Sequence, residues 1–158
     1  MTIARVVRKA TAQDIPAMME LRLSVNENRL SDPSLVTAED CLRYIEYGHM
    51  WVWEEDGEIL GISAANWETG WIWALFVRPG HEGRGIGRAL FETACDALVR
   101  GGFRTLTLST DPDTRAARFY RAAGWRETGR TEEGELIFEF SVAWRSRAAR
   151  IRLEFATP

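Results

Sequence analysis

The sequence predicts an α/β fold: one domain built on a central mixed β-sheet of about six to seven strands flanked by about four helices. Two observations predict it. From Met50 to Arg78 the chain reads as three strands joined by turns too short for a crossover, which makes an antiparallel meander. From Trp71 to Ser109 it reads as strand, helix and strand, a unit that needs a right-handed crossover and a parallel pair. A sheet that changes from antiparallel to parallel at one strand favours a ligand just beyond that strand's carboxyl end, here past Val77.

The 158 residues fit a single domain with a full core. A hydrophobic share of 46% and a charged share of 27% are those of an ordinary soluble globule. The net charge of −3 argues against a nucleic-acid partner. Lys9 is the only lysine, so the arginine-rich base content reflects coding bias as readily as function. No run approaches the roughly 18 apolar residues of a membrane span, and the N-terminus lacks the apolar core of a signal peptide. The expectation is a cytoplasmic protein with no membrane contact. Cys41 and Cys95 form no CxxC or Cys/His cluster, so no metal site is expected and both read as buried small hydrophobes.

The elements follow in order. Ala4 to Lys9 alternates weakly and reads as the first strand. Thr11 with Asp14 three residues on is a helix-start pair. Ile15, Met18, Met19 and Arg22, with Leu21 and Val25, then lie on one face of a helix that should end near Asn26 to Arg29. Thr37 with Asp40 repeats the pair and starts a second helix, with Cys41, Leu42 and Ile45 on its apolar side and Gly48 at its stop. Met50 to Glu54 and Ile59 to Trp67 flank a tight turn at Asp56-Gly57. Glu68-Thr69-Gly70 turns the chain into Trp71 to Arg78. Trp51, Trp53, Trp67, Trp71 and Trp73 lie on this meander and read as core or dimer surface, or as an aromatic wall to a pocket.

The stretch Trp73 to Leu90, WALFVRPGHEGRGIGRAL, organises the rest. Trp73 to Val77 is apolar throughout, as a strand buried on both faces requires. Pro79 and Gly80 stop it, and Gly83, Gly85 and Gly87 let backbone N–H groups approach a ligand without a Cβ in the way. The helix beginning near Ile86 points its unpaired N–H groups and positive dipole end into that turn, an anion site by construction. Arg84 and Arg88 add positive charge. A P-loop is excluded because no Lys and hydroxyl follow Gly87, and a dinucleotide fingerprint lacks its third glycine.

Instead Glu82-Gly83-Arg84-Gly85-Ile86-Gly87 resembles the acyl-CoA pyrophosphate loop of the GCN5-related N-acetyltransferases, Q/R-x-x-G-x-G/A, with Glu82 where Gln or Arg is usual. A second motif follows the helix Ile86 to Arg100 and the strand Phe103 to Ser109. Asp113, Ala116, Phe119, Tyr120, Gly124 and Trp125 fit the pattern N-x-x-A-x-x-F-Y-x-x-x-G-F of the same family, with Asp113 where Asn is common. Ala116, Phe119, Tyr120 and Ala123 share one helical face, so Tyr120 is expected to be buried. Trp125 to Arg130 and Leu136 to Val142 close the domain as a hairpin. The resemblance covers residues 3–142. The extension 143–158 falls outside it, as an edge strand, a homodimer contact or a tail.

The resemblance implies acetyl transfer from acetyl-CoA to a primary amine, of a small molecule or of a peptide, by direct attack in a ternary complex. It implies that Leu75, Phe76 and Val77 hold the pantetheine arm through their backbone. It further implies that Glu82 to Arg88, Asp113, Phe119 and Tyr120 contact the cofactor, and that Tyr120 protonates the departing thiolate. A phenol ordinarily carries its proton at neutral pH, as an acid must. No acid or histidine lies in Trp71 to Val77, so the base is sought in Glu68, in Glu27 or in a water chain, and proximity itself supplies much of the rate. The acceptor is expected near Glu27, Asn28, Arg29 and Trp67. His49 and His81 read as surface residues. Arg115, Arg118 and Arg121 either reach the phosphates or stay solvated. The alternative is a chain that binds acyl-CoA without turnover, as a sensor or interaction module.

Overall fold

A computed structural model describes residues 5–25 and 37–142. Glu27, Asn28, Arg29 and the extension 143–158 therefore lie outside the described residues. The first four strands are β1 (Arg5–Lys9), β2 (Met50–Glu55), β3 (Glu58–Ala65) and β4 (Ile72–Val77), antiparallel and in chain order across one sheet. Between β2 and β3 the turn is Asp56-Gly57, with φ of 50° and 82°. Two successive positive φ values give the turn whose twist matches the flanking strands, which is why Asp-Gly stands there. The next turn is held by Asn66, whose Oδ1 accepts the N–H groups of Glu68 and Thr69 at 2.8 and 3.2 Å. A bulge opposite Ala64/Ala65 then places Trp73 and Ala74 on the same face of β4.

Both capping pairs form. Thr11 donates its N–H to Asp14 at 2.8 Å and opens a 3₁₀ turn, Ala12–Asp14, which leads into α1 (Ile15–Ser24). The helix stops at Ser24, before the expected Asn26 to Arg29, because Val25 is already extended. Thr37 accepts the Asp40 N–H at 3.1 Å and starts α2 (Ala38–Glu46). Its buried side is Cys41 and Tyr44, whereas the expected Leu42 is 39% exposed. Tyr44 takes the inner position because its ring stacks on Trp73, with centroids 4.1 Å apart and planes 5° from parallel.

The fourth strand is followed by α3 (Ile86–Arg100), the expected span. It buries Ile86, Leu90, Phe91, Leu98 and Val99, and each such side chain contributes about 1.5–3 kcal/mol by leaving water. The helix lies very close to β3. A Cβ on Gly61 would come within 2.6 Å of Leu90 Cδ1 and 2.8 Å of Ile86 Cγ2, so the strand needs glycine there. Beyond it come β5 (Thr105–Thr110), α4 (Arg115–Ala122), β6 (Arg126–Arg130) and β7 (Leu136–Ser141), in sheet order β5-β7-β6.

The described residues thus hold seven strands and four α-helices, but in two sheets rather than one continuous mixed sheet. Trp71, just before β4, makes a single isolated parallel bridge with Thr107 of β5. The reason a pocket opens there is geometric. Arg78 donates to Leu60 at 2.8 Å, so by the alternation of an antiparallel ladder the backbone groups of Leu75 and Val77 face away from β3. No described strand pairs with them on that side. One apolar cluster lies between the sheets, α3 and α4; the other lies between the first sheet, α1 and α2. Leu75 and Val77 pack on the first and Phe76 on the second.

Candidate active site

The turn from Pro79 to Gly85 leaves its backbone open on one side. Gly80, Gly83 and Gly85 have φ of 93°, 77° and 87°, left-handed values that only glycine adopts without strain. A Cβ on any of the three would meet no protein atom within 4 Å, so the space beside this backbone is open. Gly85 is the N-cap of α3 and supplies no side-chain cap. The first N–H bonded within the helix is that of Ala89, to Gly85 at 3.0 Å. The N–H groups of Ile86, Gly87 and Arg88 are therefore the helix's own unpaired donors at its positive end.

From this loop a cavity of about 530 Å³ runs along the open side of β4 to α4. Its walls include Leu75, Phe76 and Val77 of the strand, Gly83, Gly85, Gly87 and Arg88 of the loop, and Phe119 and Tyr120 of α4. A volume of that order suits the arm of an extended cofactor. Gly87 matters twice, since a Cβ there would also press on Val77 Cγ2 at 3.3 Å. Tyr120 is buried against Phe91, Phe119, Trp125 and Phe138, with ring centroids 5.2–6.0 Å away, and still reaches the cavity. Thr114 holds the start of α4 by accepting the Ala117 N–H at 3.1 Å.

Glu82 lines the cavity with its carboxylate turned back on its own turn. It accepts the Gly80 N–H at 2.8 Å, and its own N–H together with that of Gly80 holds it below the usual carboxylate range. Arg84 does not line the cavity: it bonds Glu55 and donates to His81 Nδ1 at 2.8 Å. The cavity's arginines are Arg88 and Arg115. Ile86 sends its side chain into the core, leaving its N–H at the loop. Asp113, with φ of 58°, sits in the turn before α4 and outside the lining.

The histidines correct the sequence reading. His81 lines the cavity, and His49 is half-buried beside Trp51 and Trp67, where burial pushes its pKa down. Trp67 stacks on Tyr47 at 4.0 Å, in the aromatic group of Tyr44 and Trp73, rather than on the cavity. Glu68 occupies the exposed turn next to it and does not line the cavity. Val25, Pro79 and Ala116 do, and the sequence singled out none of them as a site residue. Val25 had one signal, its expected place on the apolar face of the first helix.

Among the described residues no helix is long and apolar enough to cross a membrane, and no group of three or more His, Cys, Asp or Glu could hold a metal ion.

With this geometry established, comparison with known proteins is direct. The model of the acetyltransferase (GNAT) family matches residues 15–125, and the chain belongs to that family. It is 34% identical over 94 residues to the peptidyl-lysine N-acetyltransferase YiaC of Escherichia coli (strain K12), a match covering 54% of this chain and 62% of that protein. It is 35% identical over 83 residues to the mycothiol acetyltransferase of Beutenbergia cavernae, covering 48% of this chain and 28% of the other. The match spans less than two thirds of either relative. The PaiA N-acetyltransferase of Thermoplasma acidophilum, solved in complex with coenzyme A, shares the fold: its TM-score is 0.69 at 16% identity, covering 89% of this chain and 99% of that one.

Proposed function

We propose that this chain transfers the acetyl group of acetyl-CoA to a primary amine, with residues 1–142 as the acetyltransferase domain and 143–158 as an extension. The observation that carries the reading is one continuous cavity joining three things: a helix N-terminus with unpaired N–H groups, the unpaired edge of β4, and the hydroxyl-bearing ring of Tyr120. The N–H groups of Ile86, Gly87 and Arg88, with Gly83 and Gly85, fit a pyrophosphate. Arg88 and Arg115 add charge to the same end. The backbone of Leu75 and Val77 offers the donors and acceptors that an amide-bearing pantetheine arm needs. The family assignment and the coenzyme A complex of a protein with this fold support the same choice of donor.

The chemistry follows from those positions. A neutral amine attacks the thioester carbonyl, a β4 N–H stabilises the oxygen as charge develops, and the C–S bond breaks. Tyr120 gives its proton to the leaving sulfur. Among the described lining residues, His81 and Glu82 are the basic groups, and both stand at the phosphate end. The amine's proton is therefore assigned to water, and holding amine and thioester together supplies the bulk of the acceleration.

Calorimetric titration with acetyl-CoA and with free CoA tests the reading. Micromolar-range binding of acetyl-CoA, followed by amine-dependent thiol release, is the expected result. Binding without release for any amine would leave the chain an acyl-CoA sensor. No binding of either ligand would remove the assignment altogether.

A further inference from the structure

Arg22 is a buried charged side chain near the cavity that the reaction above does not use. It lies on α1 and is 5% exposed. Its guanidinium carbon stands 4.5 Å from the centroid of the Phe76 ring, which lines the cavity from the α1 side. The Nε is buried without a hydrogen-bond partner among the described residues. Asp111 and Glu135 act on its charge from farther off, while burial pushes its pKa down. A buried arginine whose Nε–H has no partner is costly unless something pairs with it. The cation–π contact alone leaves the in-plane Nε–H unused.

Position decides what that partner is. Phe76 packs with α1 and α2, whereas Leu75 and Val77 pack toward α3. Arg22 is thus on the opposite face of β4 from the helix that offers the phosphate site, which leaves it to the acceptor. A guanidinium fork suits a carboxylate or a phosphate equally in shape. The carboxylates of Asp111 and Glu135 within electrostatic range disfavour a dianion and favour a single negative charge.

We propose that Arg22 receives a carboxylate of the acceptor, so that the chain selects amines that also carry an anionic group. This rests on the acetyltransferase reading. Two sources supply such a group, a free amino acid or an acidic residue beside the acetylated position of a peptide.

The test compares ω-amino acids of increasing length with their primary amides, and lysine peptides carrying Glu or Gln next to the lysine. In the wild type the best carboxylate acceptor should exceed its amide by about tenfold or more in kcat/KM, carried by KM. Arg22→Gln should bring the pair to near parity, Arg22→Lys should retain part of the preference, and acetyl-CoA affinity should stay unchanged in both. Whichever series shows the effect names the source. Equal use of acids and amides by the wild type, or a preference that survives in Arg22→Gln, overturns the proposal. A second readout needs no turnover: equilibrium binding of alkanoates and alkanamides to the CoA-saturated protein. There, carboxylate binding lost in Arg22→Gln supports the role even if no amine is acetylated, a result that sinks only the transferase reading. Carboxylate binding that is absent in the wild type, or unchanged in Arg22→Gln, again overturns it.

Discussion

Arg84 donates through one Nη2 to both carboxylate oxygens of Glu55, at 2.7 and 2.8 Å. The loop arginine is thereby tied to the end of β2, and its charge is offset before any ligand arrives. The Arg84 contact, with help from Trp53 and Arg5, holds Glu55 below the usual carboxylate range. Arg84→Ala should therefore change acetyl-CoA affinity by less than about twofold, while Arg88→Ala, which removes a cavity charge, should cost about fivefold or more at low salt. Titrations of both variants at low and high ionic strength check this. Equal losses would show that Arg84 leaves Glu55 for the ligand.

Replacing Tyr120 by Phe keeps the ring that packs on Phe91 and Trp125 and removes the hydroxyl. Turnover should fall by about 100-fold or more, the typical share of a positioned acid, while acetyl-CoA affinity holds. Stopped thiol-release assays beside calorimetry separate the two. Wild-type turnover in the variant would take the acid role from Tyr120.

Gly85→Ala places a side chain at φ of 87° where no neighbour blocks it. The cost is backbone strain alone, about 1–2 kcal/mol of stability. Relief of that strain would swing the N–H groups of the loop, so acetyl-CoA affinity should drop with it. Urea unfolding and ligand titration of the same preparation give both numbers.

At Gly61 the obstacle is contact instead. Alanine there meets Leu90 and Ile86 at less than 3 Å and must push α3 off the sheet. A loss of about 1–3 kcal/mol is expected in denaturant unfolding. A neutral result would mean that the two side chains rotate away without cost.

The pH dependence of folding has one clear contributor. Arg8 bonds Asp14 at 2.8 and 2.9 Å, and these hydrogen bonds chiefly hold the Asp14 carboxyl below its ordinary value of 3.8. Because the folded value is the lower one, the stabilisation is fully present above the unfolded value and is lost as pH falls through the folded one. Asp14→Asn should cost about 1–2 kcal/mol at neutral pH, through the lost ion pair with Arg8. The gap from wild type should narrow in urea titrations as pH is lowered below 3.8.

What could be read in the chain was whatever local chemistry dictates. The pairs Thr11/Asp14 and Thr37/Asp40 mark real helix starts, Asp56-Gly57 marks a real turn, and the apolar periodicity from Ile86 to Arg100 gives α3 at its full length. What could not be read depends on partners distant in sequence. Arg84 is 29 residues from Glu55, and nothing in the loop announces the ion pair. The divergence of β4 from β5 is a matter of sheet twist and of packing over α3, so the strand pattern alone left a single mixed sheet as the simplest reading. Leu42 lost its inner place to Tyr44 because Trp73 lay opposite, on a strand bulge that the sequence does not signal. Arg22 was visible on the apolar face of its helix, but the periodicity did not reveal that it would be buried with its Nε unpaired.

The single bridge between Trp71 and Thr107 also sets how the domain comes apart. With no ladder to carry cooperativity from one sheet to the other, the two halves are bound through side chains, and α3 is the body that both grip: Leu90 packs under Gly61 of the first sheet, and Phe91 touches Tyr120 and Trp125 beyond the second. Amide hydrogens in the middle of α3 should accordingly exchange only through global unfolding, while those of the exposed strand β6 escape through local opening. A helix whose first turn lines the cavity is, along its length, the latch of the whole domain.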